Sequence, residues 1–154
     1  MAVIRPTLTL TAAKSTATSN PGPLSVALSL NATDLLTVDT VVSEIIEVPF
    51  SSDGDNATLL IDGSAYMGTG AAGTDGGYIY MKNISAASAS NKIYIGMHPV
   101  GVSLDDLAVN GEDQRMCTLM VGEFAFFPFD YTMDIVIDSS IADQKLEYWI
   151  FDRG

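Results

Sequence analysis

Hydrophobic and polar residues alternate along most of this chain with a period of two, which is typical of β-strands. In LSVALSL, at residues 24–30, every second residue is leucine or valine, and in TMDIVID, at residues 132–138, Met133, Ile135 and Ile137 alternate with other residues. Turn-forming clusters such as NPGP, SSDGDN, SAASASN and NGED separate the runs. The sequence therefore predicts nine or ten strands, the others being TLTLT, TVVSEIIEV, ATLLID, YIYMK, KIYIG, CTLMV, KLEYWIF and the segment around EFAFFPFD.

Short strands with frequent turns predict an all-β fold, a single-domain β-sandwich of jelly-roll-like type. Only TDLLTVDTVVSEII could compete as a helix, and its threonine and valine residues favour strands. Residues 1–23 contain three prolines and are rich in Thr, Ser and Ala. We therefore expect an N-terminal arm at residues 1–23, which could include the first strand, and a β-sandwich domain at residues 24–154.

The composition excludes several classes of function. The net charge of −12 over 154 residues opposes nucleic-acid binding, which relies on Lys and Arg to replace counterions. No apolar run approaches the ~18 residues of a membrane span, and the start MAVIRPTLTL does not have the pattern of a signal peptide. The single cysteine, Cys117, lies in an apolar run and is expected to be an inert core thiol. We expect synthesis in a cytoplasm, with no nucleic-acid or membrane partner.

Charge is distributed unevenly along the chain. Residues 1–33 contain Arg5 and Lys14 and no acidic residue, whereas residues 34–154 contain five basic and nineteen acidic residues. One interpretation is an arm that docks on a partner through Val3, Ile4, Arg5 and Lys14, with the apolar start adding a strand to a neighbouring sheet. The other is a Thr/Ser-rich segment that happens to contain no acid.

The residue types that form catalytic and metal-binding sites in other proteins do not form such a set in this sequence. Gly68, Gly70 and Gly73 match the spacing G-x-G-x-x-G, but a strand-like run follows instead of a helix, so they predict a loop between strands. His98 is the only histidine, and we expect a surface or loop-packed residue. Asp53 and Asp55 could neutralise a calcium ion, yet Asp, Gly and Asn are also ordinary turn residues. The sequence predicts no catalytic residue, cofactor or bound metal.

Aromatic residues concentrate in GEFAFFPFD, where four of the six phenylalanines lie within six positions. A period of two would bury Phe124 and Phe126 and turn Phe127 to the other face, while Pro128 places the strand at an edge or a corner. We therefore expect self-association through Phe127 and Phe129, most simply as a trimer. The alternative is a bulge that turns Phe127 back into the core.

The C-terminal stretch GEFAFFPFD…TMDIVIDSSIADQKLEYWIFDRG resembles virion structural proteins of tailed bacteriophages. The resemblance covers roughly residues 115–154: an acidic-aromatic strand, then D-x-x-x-D, then a closing L-E-Y-W-I-F strand. Within that group the chain is most similar to capsid decoration, or cement, proteins. The resemblance implies a β-sandwich trimer seated on the outer capsid surface, with the major capsid protein as partner and the host cytoplasm as the place of synthesis.

Two alternatives stay open beside this expectation. The chain could be another virion subunit from a tail, adaptor or fibre base. It could also be a carbohydrate-binding or hydrolytic β-sandwich, although no acid–base set is evident for hydrolysis.

Overall fold

The computed structural model describes residues 41–50, 57–66, 76–88, 90–101 and 114–152, together with the backbone of four short strands between residues 2 and 38. Contacts group the chain into two compact units, Met1–Thr37 and Val38–Gly154. The predicted arm at residues 1–23 falls within the first unit. Its boundary with the sandwich domain at residue 24 stays a prediction.

The N-terminal strands pair with one another. Strand β1 (Ala2–Ile4) pairs with β4 (Leu36–Val38), and β2 (Thr7–Leu10) pairs antiparallel with β3 (Leu28–Asn31). The strand predicted in TLTLT is confirmed. The strand predicted in LSVALSL is confirmed in its C-terminal part, and residues 24–27 lie outside the described residues.

The second unit is built from two four-stranded antiparallel sheets. The first sheet has the order β10-β7-β12-β5 and the second has the order β6-β11-β8-β9. The strands of this unit are β5 (Val41–Val48), β6 (Thr58–Ile61), β7 (Gly76–Asn83), β8 (Lys92–Pro99), β9 (Arg115–Met120), β10 (Phe124–Asp130), β11 (Met133–Ser139) and β12 (Gln144–Asp152).

The strand order is that of a jelly roll. Strand β5 pairs with β12, β6 with β11, β7 with β10 and β8 with β9, so the unit is one long antiparallel hairpin rolled into two sheets. The remaining pairs, β12 with β7 and β11 with β8, complete the sheets after rolling. The prediction of an all-β, jelly-roll-like sandwich is confirmed. The predicted nine or ten strands exceed the eight of the described sandwich because two of them, β2 and β3, belong to the first unit.

The core lies between the sheets and follows the predicted alternation. Ile93 and Ile95 on β8 and Ile135 and Ile137 on the neighbouring β11 point into the core from one sheet, with Ile95 directly opposite Ile137. The other sheet supplies residues such as Leu146, and all five are fully buried. Burying an aliphatic side chain of this size contributes roughly 1.5–3 kcal/mol, so these strands are the main source of stability.

A buried asparagine links the two sheets at one end of the sandwich. Asn83, the last residue of β7, donates from Nδ2 to the carbonyl oxygens of Leu119 at 2.9 Å and Asn91 at 3.2 Å. Its Oδ1 accepts a hydrogen bond from the Ser85 N–H at 3.0 Å. A buried amide is costly unless it is hydrogen-bonded, and these three bonds satisfy it. The bond to Leu119 joins β7 to β9.

Polar residues on the outer face of the second sheet are also buried. Asp134 on β11 and His98 on β8 are register partners, and both are less than a tenth exposed. Asp134 Oδ1 accepts a hydrogen bond from the Gly63 N–H at 2.9 Å, which ties a short 3₁₀ turn, Gly63–Tyr66, to β11. A side chain at position 63 would meet the carbonyl oxygen of Tyr131 at 2.8 Å, so only glycine allows this close approach.

Candidate functional site

The outer face of the first sheet carries a continuous set of aromatic side chains. On β7, β10 and β12, six of the residues that alternate with the core positions are aromatic, and all six are exposed or half-buried. We call this surface the aromatic face; it consists of Tyr78, Tyr80, Phe124, Phe126, Trp149 and Phe151. Contiguous exposed aromatic groups of this kind mark sites that bind other molecules.

The strand register brings the rings together across the three strands. Tyr80 is the register partner of Phe126 on β10 and of Trp149 on β12, so these three residues lie in a row across the sheet. Tyr78 lies in the next row beside Phe151. Neighbouring rings stand 5.9–6.4 Å apart between centroids, in the pairs Tyr78–Phe126, Tyr80–Phe124, Phe126–Phe151 and Trp149–Phe151. Ring pairs at these separations stabilise one another by about 0.5–1.5 kcal/mol, so the face is held in shape by its own contacts.

The aromatic face is much less charged than the chain as a whole. Lys82 and Glu147 are register partners at one end of the face, and their opposite charges balance. The Trp149 indole donates to Glu147 Oε1 at 3.4 Å. Burial, and secondarily the nearby Glu147, raises the pKa of Tyr80, so its hydroxyl stays a neutral hydrogen-bonding group. On a chain of net charge −12, this is a place that an acidic partner can approach.

A shallow groove joins the aromatic face to the edge strand β5. Its volume is about 320 Å³, and its lining combines apolar and acidic side chains: Ser43, Glu44, Ile45, Glu147 and Trp149. Ile45 and Trp149 are 61% and 40% exposed, which is high for apolar side chains. The surface available to a partner therefore extends from the centre of the sheet to its edge.

The structure reverses the predicted phase of β10. Phe124 and Phe126, which were expected in the core, are 57% and 39% exposed, whereas Phe129 is 3% exposed and Phe127 packs against the core. The reason lies in the cross-strand partners. Phe129 stands opposite Gly77, and its ring occupies the space that a side chain there would fill. The ring also meets Tyr66 edge to face at 5.3 Å.

This correction moves the exposed phenylalanines to Phe124 and Phe126. The alternative expectation for Phe127, a side chain directed at the core, is the correct one, although no bulge is needed to produce it. Self-association through Phe127 and Phe129 stays a prediction. The side chain of Phe129 is buried in the core, so a contact of this residue with a second chain requires it to become exposed.

The other predicted partner-binding residues lie in the N-terminal segment. Val3 and Ile4 belong to β1, which pairs with β4 of the same chain. Arg5 and Lys14 lie outside the described residues, so the structure does not place their side chains. The glycines at 68, 70 and 73 and the aspartates at 53 and 55 also lie outside the described residues.

The two residues with reactive side chains are both in strands of the second sheet. The prediction of a surface or loop-packed histidine is wrong, because His98 is buried within β8, where Nδ1 donates to the Pro99 carbonyl oxygen at 2.9 Å. Cys117 is half-buried on β9, and burial raises the pKa of its thiol, which disfavours the reactive thiolate. Within the described residues, no three His, Cys, Asp or Glu side chains form a group that could hold a metal ion.

Comparisons with known proteins find likenesses among solved structures alone. No family model matches the chain, and no curated protein does. The chain is similar to a chain of the crystal structure of Tomato aspermy virus, at 8% sequence identity and a TM-score of 0.37. The match covers 75% of this chain and 77% of that chain. In the described residues, no helix is long and apolar enough to cross a membrane.

The sequence predicts the aromatic face only in part. The period of two in KLEYWIF sets Trp149 on the face opposite Leu146, Tyr148 and Ile150, and in the structure those three residues are buried while Trp149 is exposed. The same reasoning applied to YIYMK would have turned Tyr78 and Tyr80 outward. What the sequence did not indicate is that β7, β10 and β12 are neighbours, so that their outward rings meet on one surface.

Proposed function

We propose that this protein is a decoration protein of a tailed-bacteriophage capsid, which binds the outer surface of the shell and stabilises it. In this proposal the aromatic face lies against the major capsid protein and no catalysis is involved. The observation that carries the proposal is the aromatic face itself. The resemblance of residues 115–154 to virion structural proteins gives the class of partner.

The composition of the aromatic face suits a protein partner. Tyr, Trp and Phe are enriched in the centres of protein–protein interfaces, where charged residues are depleted. The face presents rings on three adjacent strands, with one Lys–Glu pair at its end. Side chains held on the strands of a sheet can bind a partner without rearrangement of the backbone.

The sandwich architecture is compatible with this role without deciding it. Jelly rolls with two four-stranded sheets occur in viral capsid proteins and in lectins. A fold supports many functions, so the proposal depends on the exposed side chains and not on the strand order.

The proposal includes a homotrimer and a second contact from the N-terminal segment. Binding of a trimer by repeated copies of one surface multiplies a modest affinity per copy. Residues 1–33 combine two basic residues with no acidic one, whereas the rest of the chain is strongly acidic. The segment with Val3, Ile4, Arg5 and Lys14 is therefore the part of the chain best suited to bridge acidic neighbours.

The decisive experiment adds a charge to the centre of the aromatic face. Phe126→Asp and wild-type protein are added to undecorated particles, and occupancy and heat resistance are measured. Losing a central aromatic contact costs about 2 kcal/mol or more, so we expect at least about a thirtyfold weaker attachment. Met116→Asp is the matched control, since Met116 is 42% exposed on β9 of the other sheet.

Wild-type occupancy of the Phe126→Asp variant would contradict the assignment of the aromatic face. The same assay with Arg5→Glu and Lys14→Glu tests the N-terminal contact. Unchanged occupancy in that double variant would leave the aromatic face as the sole proposed attachment surface. Copy number per purified particle separates a decoration protein, present in many copies, from a tail, adaptor or fibre-base subunit, present in few.

A carbohydrate-binding role is the second candidate, and the exposed Trp149 favours it. Aromatic rings beside hydrogen-bonding groups are suited to amphipathic ligands, and Glu147 and Lys82 stand next to the rings. A glycan-binding screen tests this alternative directly. Glycan binding that is lost in Trp149→Ala, combined with normal particle occupancy of the same variant, would replace the capsid proposal.

A further inference from the structure

The four edges of the sandwich are not equivalent. Strands β10 and β5 are the edges of the first sheet, and β6 and β9 are the edges of the second. Pro128 interrupts β10 with a residue that has no N–H, and β6 has only four residues. Strand β5 has eight residues and no proline, so it offers the longest uninterrupted row of backbone donors and acceptors.

Strand β5 is also exposed on both of its faces. Ile45, on the outer face, is 61% exposed, and Val42, on the opposite face, is 47% exposed. Ser43, Glu44 and Glu47 are exposed as well. Among the described residues, β5 pairs with a single strand, β12. Natural proteins usually protect such an edge with charged side chains, proline or a covering segment. Strand β5 has no proline, and its only charged residues, Glu44 and Glu47, are both negative, so they repel an acidic strand and attract a basic one.

The side chains along this edge define the chemistry of the strand that fits it. The Tyr148 hydroxyl donates to Glu44 Oε2 at 2.6 Å, which holds that carboxylate at the edge. Glu47 follows on β5, and Glu147 lines the groove beside Ile45 and Trp149. A complementary strand therefore presents an apolar side chain to Ile45 and a lysine or arginine to Glu44.

We propose that the β5 edge binds an extended, basic segment of a different protein chain as a fifth strand of the first sheet. Backbone hydrogen bonds to β5 supply affinity, while the groove and the glutamates select apolar and basic side chains. A second copy of β5 is a poor occupant, because it brings two further glutamates and no basic residue. This inference does not depend on the capsid role, since it rests on strand β5 and the groove beside it.

Synthetic peptides test the proposal on the full-length protein. The probe is a nine-residue peptide in which valine or isoleucine alternates with threonine and lysine. Three controls change one property each: N-methylation of every second residue removes strand hydrogen bonding, glutamate replaces lysine, and a scrambled order removes the alternation. Trp149 fluorescence reports binding, because its side chain lines the groove.

In the variant Ile45→Lys, a long charged side chain blocks the addition of a strand at the β5 edge. We expect it to weaken binding of the basic probe at least about tenfold, as edge lysines prevent strand addition. Leu59→Lys is the matched control, since Leu59 is 43% exposed on β6, the edge of the other sheet. Ser43→Lys, on the same face of β5, replaces Ile45→Lys if that variant does not fold.

Each outcome decides the proposal. Binding of the basic probe that is lost with N-methylation and with Ile45→Lys supports it. Equal binding of the N-methylated peptide, no effect of Ile45→Lys, or no binding of any probe overturns it. If the full-length chain self-associates and Ile45→Lys abolishes that association, the occupant is a second copy and the proposal of a different partner is wrong.

Discussion

The two sheets of the sandwich present opposite outer faces. On the first sheet, the outward positions of β7, β10 and β12 carry six aromatic side chains that remain exposed or half-buried. On the second sheet, the outward positions of β8 and β11 carry polar residues and a valine, most of them buried: Tyr94, His98, Asp134, Val136 and Asp138. Apolar outward side chains are therefore exposed on the first sheet, whereas most polar outward side chains of these two strands of the second sheet are buried.

The difference separates a structural surface from an interaction surface. Buried polar groups are tolerated when their partners are supplied within the chain, as the Gly63 N–H supplies one for Asp134. Arg115 lies 4.4 Å above the ring of Tyr94, which is a further contact within the same face. The aromatic face has contacts among its rings, but much of its apolar surface remains in water. A partner therefore gains most by covering the aromatic face.

The largest expected difference between the two faces comes from removing one carboxylate on each. Asp134→Ala leaves the buried Gly63 N–H without its acceptor, so we expect the free energy of unfolding to fall by about 2–3 kcal/mol. Glu147→Ala, on the aromatic face, removes one long hydrogen bond from Trp149 and should cost less than about 0.5 kcal/mol. Urea denaturation of both variants measures the two values. Equal losses would show that the two faces do not differ in the way described.

A smaller effect is expected from removing a ring at the centre of the aromatic face. Phe126→Ala eliminates ring contacts with Tyr78 and Phe151, at 5.9 and 6.2 Å, but its side chain is already 39% exposed. We expect a loss of about 1 kcal/mol in the free energy of unfolding. A loss above about 3 kcal/mol would place Phe126 among core residues and would remove the main argument for an interaction surface.

The strands and the fold class could be predicted because the period of two is local. Each of the eight sandwich strands corresponds to a predicted run, and residues such as Ile135 and Ile137 face the core as expected. The phase of β10 could not be predicted, because Phe124, Phe126 and Phe129 satisfy alternation in more than one way. The choice depends on Gly77, which accommodates the Phe129 ring only once β7 and β10 are paired.

The candidate site was harder to predict than the fold for the same reason. Its residues come from three strands that are distant in sequence, and the jelly-roll order makes them adjacent. His98 shows that a prediction for a single residue within one strand can also fail. It follows the predicted run KIYIG, but β8 continues to Pro99, and the histidine is buried within that strand.

The inner side of the first sheet gives a prediction that depends on pH. Burial, together with the hydrogen bond to Glu44, raises the pKa of Tyr148 from 10.0 to about 12. Because this pKa is higher in the folded state, the stabilising effect is complete below about pH 10 and is lost as the pH rises towards about 12. We expect the stability difference between wild type and Tyr148→Phe to shrink over that interval. Urea midpoints measured from pH 8 to pH 11 check this, and a constant or growing difference would contradict it.

The last prediction concerns the covering of the aromatic face and involves no change in stability. Trp149 is the only tryptophan of the chain and is 40% exposed on this face, so its fluorescence reports on access to the surface. We expect acrylamide to quench it readily in the isolated protein and much less on decorated particles, because an interface excludes the quencher from its centre. The control carries Trp149→Phe and Leu59→Trp, which moves the single tryptophan to β6, where Leu59 is 43% exposed. Its quenching should be the same with and without particles. If Trp149 stays equally accessible on the particle while the relocated tryptophan is protected, attachment uses the second sheet, and the aromatic face remains open to a different ligand.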